Sequence, residues 1–284
     1  MEIGPLLKKI RNSKNMTQES LATGIISRSH LSELENSNYY CSYDKFILLL
    51  RKLNVSLMEF EELLNQSIFF EEESLLKKLM QANNSQNERD LKMVQKKINS
   101  YIKKSNNPSS RIIHAQILCE AIIEYRKHGK ICNPERFAPL KEYLTACNDW
   151  GYYEINLLNN SLFVYDVDTA ITLSSSLIMN CQKTQSVMTK EVLILTLINM
   201  SDYLLKLDLN RESLKYSRLA IKLCENTNRL FEKCLASINA ALAQTKIDKS
   251  PQPKIETWIE FLRFSGYHDL ANQIDKEVAD IVLD

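Results

Sequence analysis

Three asparagines stand at a constant interval in the second half of the chain. Asn159, Asn199 and Asn239 each close a line of the form apolar-x-x-apolar-Asn, carried by Ile155 and Leu158, Leu195 and Ile198, and Leu235 and Ile238. A carboxamide offers one donor group and one acceptor, the pair that a single peptide unit presents through its C=O and N–H. Three in phase match successive peptide units, while the competing use of such a residue is a bond between neighbouring helices. Asn160 and Tyr203 stand beside this row and extend it. Nine positions after each Asn comes an acidic residue: Asp168, Asp208 and Asp248. Covalent and metal chemistry finds no comparable pattern. The seven cysteines form no C-x-x-C pair and no zinc spacing. His128 and Cys132 are close in sequence, but Gly129 between them and Asn133-Pro134 after them interrupt any helix that could pair them. No catalytic residue, cofactor or metal is expected.

The elements that must position these residues are helical. Five glycines in 284 residues compare with an average near 7%, a shortage that excludes Gly-rich phosphate loops and folds with many tight turns. Apolar content of 44% and charged content of 25% are those of a folded globular chain. The start MEIGPLLKKIRN lacks the apolar core of an export signal, and VLILTLINM is too short to span a bilayer. The expectation is a cytoplasmic protein that does not enter membranes, with reduced thiols and with Cys119, Cys181, Cys224 and Cys234 in the core. Ser56 with Glu59 forms a capping box flanked by Val55 and Phe60, and Ser85 with Glu88 repeats it. Asn107-Pro108 and Asn133-Pro134 read as caps before a helix-starting proline. The run Glu71–Glu73 reads as a solvated helix start that complements the dipole.

Two regions follow. Residues 1–66 carry short helices at roughly 3–14, 17–23, 28–36, 42–53 and 57–65. Residues 67–284 carry longer ones, with a division near Asn65–Phe70. The 40-residue interval holds two helices per unit, the second at about 167–181, 210–226 and 252–264, which is the mark of an α-solenoid. The segment from Ser213 to Leu223 resembles the second helix of a tetratricopeptide unit. The fold class is all-α: an N-terminal helical module followed by a repeat domain.

The run from Met16 to Asn36 resembles a helix-turn-helix of the phage-repressor type. Thr17 caps the first helix of the pair, Leu21 and Ala22 face inward, Gly24 makes the turn, and Ser27 caps the second helix. Leu31 and Leu34 hold that helix to the core, leaving Arg28, Ser29, Ser32 and Glu33 on its outer face. In this fold that helix enters the major groove of double-stranded DNA, where Arg28 pairs with guanine, Ser29 and Ser32 reach base edges or phosphate, and Ser27 and Glu33 complete the DNA-binding set. Lys8, Lys14 and the Thr17–Gln18 helix start are the phosphate contacts. Arg11 and Glu35 form an internal ion pair. Net charge is +1, and residues 1–66 hold eight basic and eight acidic residues, so any such site is local rather than a global basic field. The competing reading of this segment is a helical bundle that binds nothing.

The whole chain resembles the Rgg/GadR/MutR family of regulators. The resemblance rests on the segment Ser27-x-Ser29-x-Leu31-Ser32-x-Leu34-Glu35, on Cys41-Ser42 opening the fourth helix, and on Asn148-Asp149-Trp150-Gly-Tyr152-Tyr-Glu154 before a repeat helix. It implies a homodimer that binds promoter DNA and is switched by a short signalling peptide lying along the concave face of the repeats, where Asn159, Asn160, Asn199, Tyr203 and Asn239 hold the peptide. It also implies that Cys41 faces its symmetry mate and links two DNA-binding modules. The switch is a population shift between placements of the two modules, or between modes of contact with RNA polymerase. Glu33 stands where many members carry a basic residue. Two other classes compete: a protein–protein adaptor using the repeat groove, and a repressor sensing a small metabolite in a closed pocket.

Overall fold

The computed structural model describes residues 2–65, 71–85, 87–183, 187–225, 227–250 and 254–283, excluding the side chains at 65, 84, 180–183, 187, 188 and 280–283. The division expected at Asn65–Phe70 lies largely outside the described residues, as does the side chain of Cys181. Helices α1 (Ile3–Ser13), α2 (Gln18–Ala22), α3 (Arg28–Glu35), α4 (Tyr43–Lys52), α5 (Leu57–Asn65), α6 (Glu71–Asn84), α7 (Glu88–Lys104) and α8 (Ser110–His128) are followed by a 3-10 turn at Pro134–Phe137. Then come α9 (Ala138–Ala146), α10 (Tyr152–Ser161), a 3-10 turn at Leu162–Val164, α11 (Val167–Lys183), α12 (Val187–Lys206), α13 (Asn210–Cys224), α14 (Leu230–Asp248), α15 (Lys254–Phe264) and α16 (His268–Leu283). Among the described residues there is no strand. The chain divides into two compact units, residues 1–115 and 116–284.

In the first unit α1 to α5 surround one apolar core that includes Leu7, Leu21, Leu31, Leu49, Leu53 and Phe60. Each of these five helices starts and ends within one residue of its expected bounds. Gly4 is what lets α1 lie on α3: a Cβ there would stand 2.0 Å from the Leu34 carbonyl oxygen. Helices α6 and α7 pair through Leu75, Leu79 and Ala82 on one side and Leu91, Val94 and Ile98 on the other, all buried.

Three local expectations need correction here. Helix α7 is capped by Asn87, whose Oδ1 accepts from the N–H groups of Arg89 and Asp90 at 3.0 and 3.5 Å. Ser85 instead donates to the Ala82 carbonyl, so Ser85 and Glu88 form no capping box. Helix α8 starts at Ser110, and Ser109 Oγ accepts from Ile112 N–H, so Asn107-Pro108 is not its cap. The carboxylates of α6 are not merely solvated: Glu72 accepts from the hydroxyls of Tyr101 and Ser109, and Glu73 pairs with Arg111 at 3.5 Å. In both helices the cap is the residue immediately before the first turn, Asn87 for α7 and Ser109 for α8, rather than the one further upstream.

The second unit is built of paired helices. Helices α10, α12 and α14 lie side by side, while α11 and α13 pack behind them. The seam is apolar, with Leu158, Leu173, Leu197, Leu204 and Tyr216 buried, and continues through Cys234, Ile238, Ile259 and Leu262 toward α16. The expected second helices coincide with α11, α13 and α15. Helix α10 ends early, at Ser161, and the three aspartates therefore fall in different places: Asp168 in the first turn of α11, Asp208 at φ 58° after α12, Asp248 as the last residue of α14. Asn133-Pro134 does open a helix with proline first, a 3-10 turn, although the Asn133 side chain makes no cap bond.

Candidate functional site

In the first unit, side chains set the pose of α3. Thr17 Oγ1 accepts from Ser20 N–H at 3.0 Å, starting α2. Gly24 sits at φ +81°, in the left-handed region that favours glycine, and Ser27 Oγ accepts from His30 N–H at 3.1 Å to start α3. Leu31 and Leu34 are buried, Arg28, Ser29 and Glu33 are exposed, and Ser32 is half-buried. Ser29 shares a 2.9 Å hydrogen bond with Ser27. Lys8 and Lys14 are exposed. The face thus combines a free guanidinium, two hydroxyls and one carboxylate.

Behind that face lies the Arg11–Glu35 pair. Arg11 Nε and Nη2 donate to the two carboxylate oxygens of Glu35 at 2.6 and 3.0 Å, and Nη1 donates to the Met16 carbonyl. Both residues are buried. The bond to Glu35 lifts the Arg11 pKa above its ordinary value, against the opposing effect of burial. Gln18 completes the network, its amide donating to Glu35 Oε2 at 2.9 Å. The Gln18 side chain therefore serves the ion pair, which sequence reasoning had not given it.

A further exposed side chain on α3 was missed altogether. His30 stacks on Tyr39 with ring centroids 4.9 Å apart and planes 12° apart. Its signal was its position in the same turn as Arg28 and Ser29. Cys41 lies just beyond, half-buried against the core of this module, its thiol pKa raised chiefly by that burial. It is a free thiol, and Tyr40 and Tyr43 around it are exposed.

In the second unit two of the three asparagines meet, and the third bonds the backbone of the same central helix. Asn199 Nδ2 donates to Asn159 Oδ1 at 3.0 Å, from α12 to α10. Asn239 Nδ2, on α14, donates to the Ile198 carbonyl of α12 at 3.2 Å. Asn199 is exposed although its neighbours Ile198 and Met200 are buried, and Asn159 and Asn239 are half-buried. The row therefore retains unused acceptor capacity at its open side, since each carboxamide oxygen has two lone pairs. Tyr203 donates to the Tyr165 carbonyl at 2.8 Å, and burial followed by the charge of Asp166 pushes its pKa up. Asn160 turns its amide back to the Asn156 carbonyl of its own helix at 2.8 Å. Below Tyr203 on α12, Lys206 pairs with Asp202 at 2.7 Å.

The Trp150 to Glu154 line has a clear local purpose. Trp150 is buried and its Nε1 donates to the Leu144 carbonyl at 3.2 Å. Glu154 accepts from Gly151 N–H at 2.8 Å and from the Tyr143 hydroxyl at 2.7 Å. Helix α10, which carries Asn159, is thereby anchored at its start to α9.

Among the described residues no helix is long and apolar enough to cross a membrane. Two family models match the chain: Helix-turn-helix over residues 7–60, and HTH-type transcriptional regulator Rgg, C-terminal domain, over residues 73–276. Among solved structures, the chain is similar to the SHP pheromone receptor Rgg2 of Streptococcus dysgalactiae, with 20% identity, 98% of this chain and 99% of that one covered, and a TM-score of 0.74. It is similar to a transcriptional-regulator candidate from Listeria monocytogenes EGD-e, with 16% identity, coverage of 99% and 97%, and a TM-score of 0.82. It is also similar to ComR from S. thermophilus, solved with DNA and its signalling peptide ComS, at 16% identity, 99% coverage of both chains and a TM-score of 0.60. The C-terminal family model alone spans well over half of the sequence: this chain belongs to the Rgg family of helix-turn-helix transcriptional regulators.

Proposed function

We propose that this regulator is a homodimer that binds promoter DNA through residues 1–66 and is switched by a short signalling peptide held by residues 67–284. The observation that carries the peptide reading is the row Asn159, Asn199, Asn239, which joins α10, α12 and α14 along one side of the repeat layer. An extended peptide crossing that side has N–H and C=O groups to satisfy once it leaves water, and an unpaired one costs about 1–3 kcal/mol. Asn160 and Tyr203 add contacts at the edges of the row. Rgg2 is a pheromone receptor and ComR was solved with DNA and a signalling peptide, which supports the same division of labour here.

On the DNA side, Arg28 offers a bidentate donor near the start of α3, Ser29 and Ser32 offer hydroxyls, and Glu33 accepts from a cytosine amino group. Lys8, Lys14 and the Thr17–Gln18 helix start meet phosphates. Ser27 acts by capping α3. Cys41 links the two modules of the dimer when oxidised. Peptide binding shifts the population between two placements of those modules, or between two modes of contact with RNA polymerase, and it does so only to the extent that the two states bind it unequally.

The test is a band shift on a palindromic promoter fragment, across a salt series, with and without short peptides encoded beside the gene. Affinity that falls linearly in log salt, and changes with one such peptide, supports this function. Salt-independent binding, or none, removes it.

A further inference from the structure

Helices α6 and α7 enclose a cleft of about 560 Å³ whose chemistry is unlike that of the asparagine row. Two facing stripes build it. On α6 it is lined by Glu71, Ser74 and Lys78, and on α7 by Lys97, Ser100 and Lys104. Both stripes follow the three- and four-residue spacing that puts side chains on one helix face. The apolar seam of Leu75, Leu79, Leu91, Val94 and Ile98 fixes the two helices against each other beside it.

The charge around the hollow is unbalanced. Three ammonium groups stand against the single carboxylate of Glu71. Of the two neighbouring carboxylates, Glu72 accepts from Ser109 and from Tyr101, which itself lines the cleft, and Glu73 pairs with Arg111. Among the described residues, none of Lys78, Lys97 and Lys104 takes part in an ion pair, whereas Lys92 on the same helix pairs with Glu88. Like charges gathered at one hollow repel each other, and an anion placed between them removes that repulsion. Ammonium groups only donate, and serine hydroxyls donate readily, so the ligand must be rich in acceptor oxygens. The volume falls within the range of small-molecule sites, about 300–1,000 Å³, and exceeds what a lone carboxylate fills.

We propose that this cleft binds a phosphoryl group, with Lys78, Lys97 and Lys104 as its charge partners and Ser74 and Ser100 as hydrogen-bond donors. That chemistry has two sources, a free phosphorylated small molecule or a backbone phosphate of bound DNA. The full chain is titrated by calorimetry with pyrophosphate and with a nucleoside monophosphate at about 0.15 M salt. The same titration is run on Lys97→Gln/Lys104→Gln, two exposed positions whose change leaves the helices intact, checked by a thermal melt. A free ligand as source gives saturable binding that weakens at least tenfold in the double variant. DNA as source leaves that titration flat but lowers the slope of log affinity on log salt by about two, at about 0.9 per phosphate. If the double variant changes neither pyrophosphate or nucleotide binding nor the salt slope, the cleft is not a phosphoryl site. Should the wild-type chain bind no DNA, the function proposed above fails, and the calorimetric arm alone decides this one.

Discussion

Asn199 and Asn159, 40 residues apart in sequence, are joined by a 3.0 Å hydrogen bond between their side-chain amides. A sequence period has thus become a physical row, with the donor of one rung spent on the acceptor of the next. The bond is exposed, so its net worth to stability is small, about 0.5–1 kcal/mol. On the peptide-binding function proposed above, it holds both carboxamides in one orientation before the peptide arrives, which reduces the ordering cost of binding.

Asn199→Ala removes the central rung. We expect peptide affinity to fall by about 1–3 kcal/mol while DNA affinity without peptide changes little. Calorimetry with the cognate peptide, beside a thermal melt, measures both. A variant that binds peptide normally, or that melts the repeat layer, makes the asparagines packing residues.

Arg28→Ala is expected to cost about 1–3 kcal/mol of specific DNA affinity and to relax one base position in each half-site. Lys8→Ala should weaken all sequences about equally and reduce the salt slope by roughly one. Selection on a randomised operator separates the two behaviours, and unchanged preference in the Arg28 variant would show that α3 is docked differently.

Glu35→Ala strands the Arg11 guanidinium in the core, where Arg11 and Glu35 are 7% and 1% exposed. Breaking one side of such a pair costs about 3–5 kcal/mol. Gln18→Ala deletes only a supporting bond and should cost about 1 kcal/mol. Denaturant melts of the three proteins test this order; equal losses would mean that Gln18 matters as much as the arginine.

Gly4→Ala places a methyl 2.0 Å from the Leu34 carbonyl oxygen, a distance that α1 or α3 must relieve by moving. The expected loss is about 1–3 kcal/mol, the usual cost of overpacking. Since Leu34 is on α3, the helix proposed to read DNA, DNA affinity should fall with it. A melt and a band shift that both match wild type would contradict the close approach of α1 and α3.

Cys41 is half-buried, and that burial raises its thiol pKa, which lowers the thiolate fraction and slows disulfide formation. Under mild oxidation we expect a covalent dimer on non-reducing gels that Cys41→Ser abolishes. A dimer that persists in the serine variant assigns the link to another cysteine.

Much of the architecture was legible in the residues because it is local. Thr17, Gly24 and Ser27 cap and turn their own neighbours, and the apolar spacing of Leu21, Leu31 and Leu34 sets each helix's inner face. That is why α1 to α5 fell within a residue of expectation and the 40-residue period was visible at once, whereas the Arg11–Glu35 pair, which joins α1 to α3, was expected from the resemblance to the repressor-type fold. The caps of α7 and α8 were not, because several Ser and Asn residues stand close together before each helix and more than one could cap it. The joining of Asn199 to Asn159 and of Asn239 to the Ile198 carbonyl depends on how the helices stack, which no period states. Gln18 reaching Glu35, His30 stacking on Tyr39, and Gly4 under the Leu34 carbonyl are contacts between separate elements. Sequence determined which faces the helices bury; tertiary structure decided which polar groups meet, because a hydrogen bond needs ångström placement across elements that the chain's local preferences do not specify.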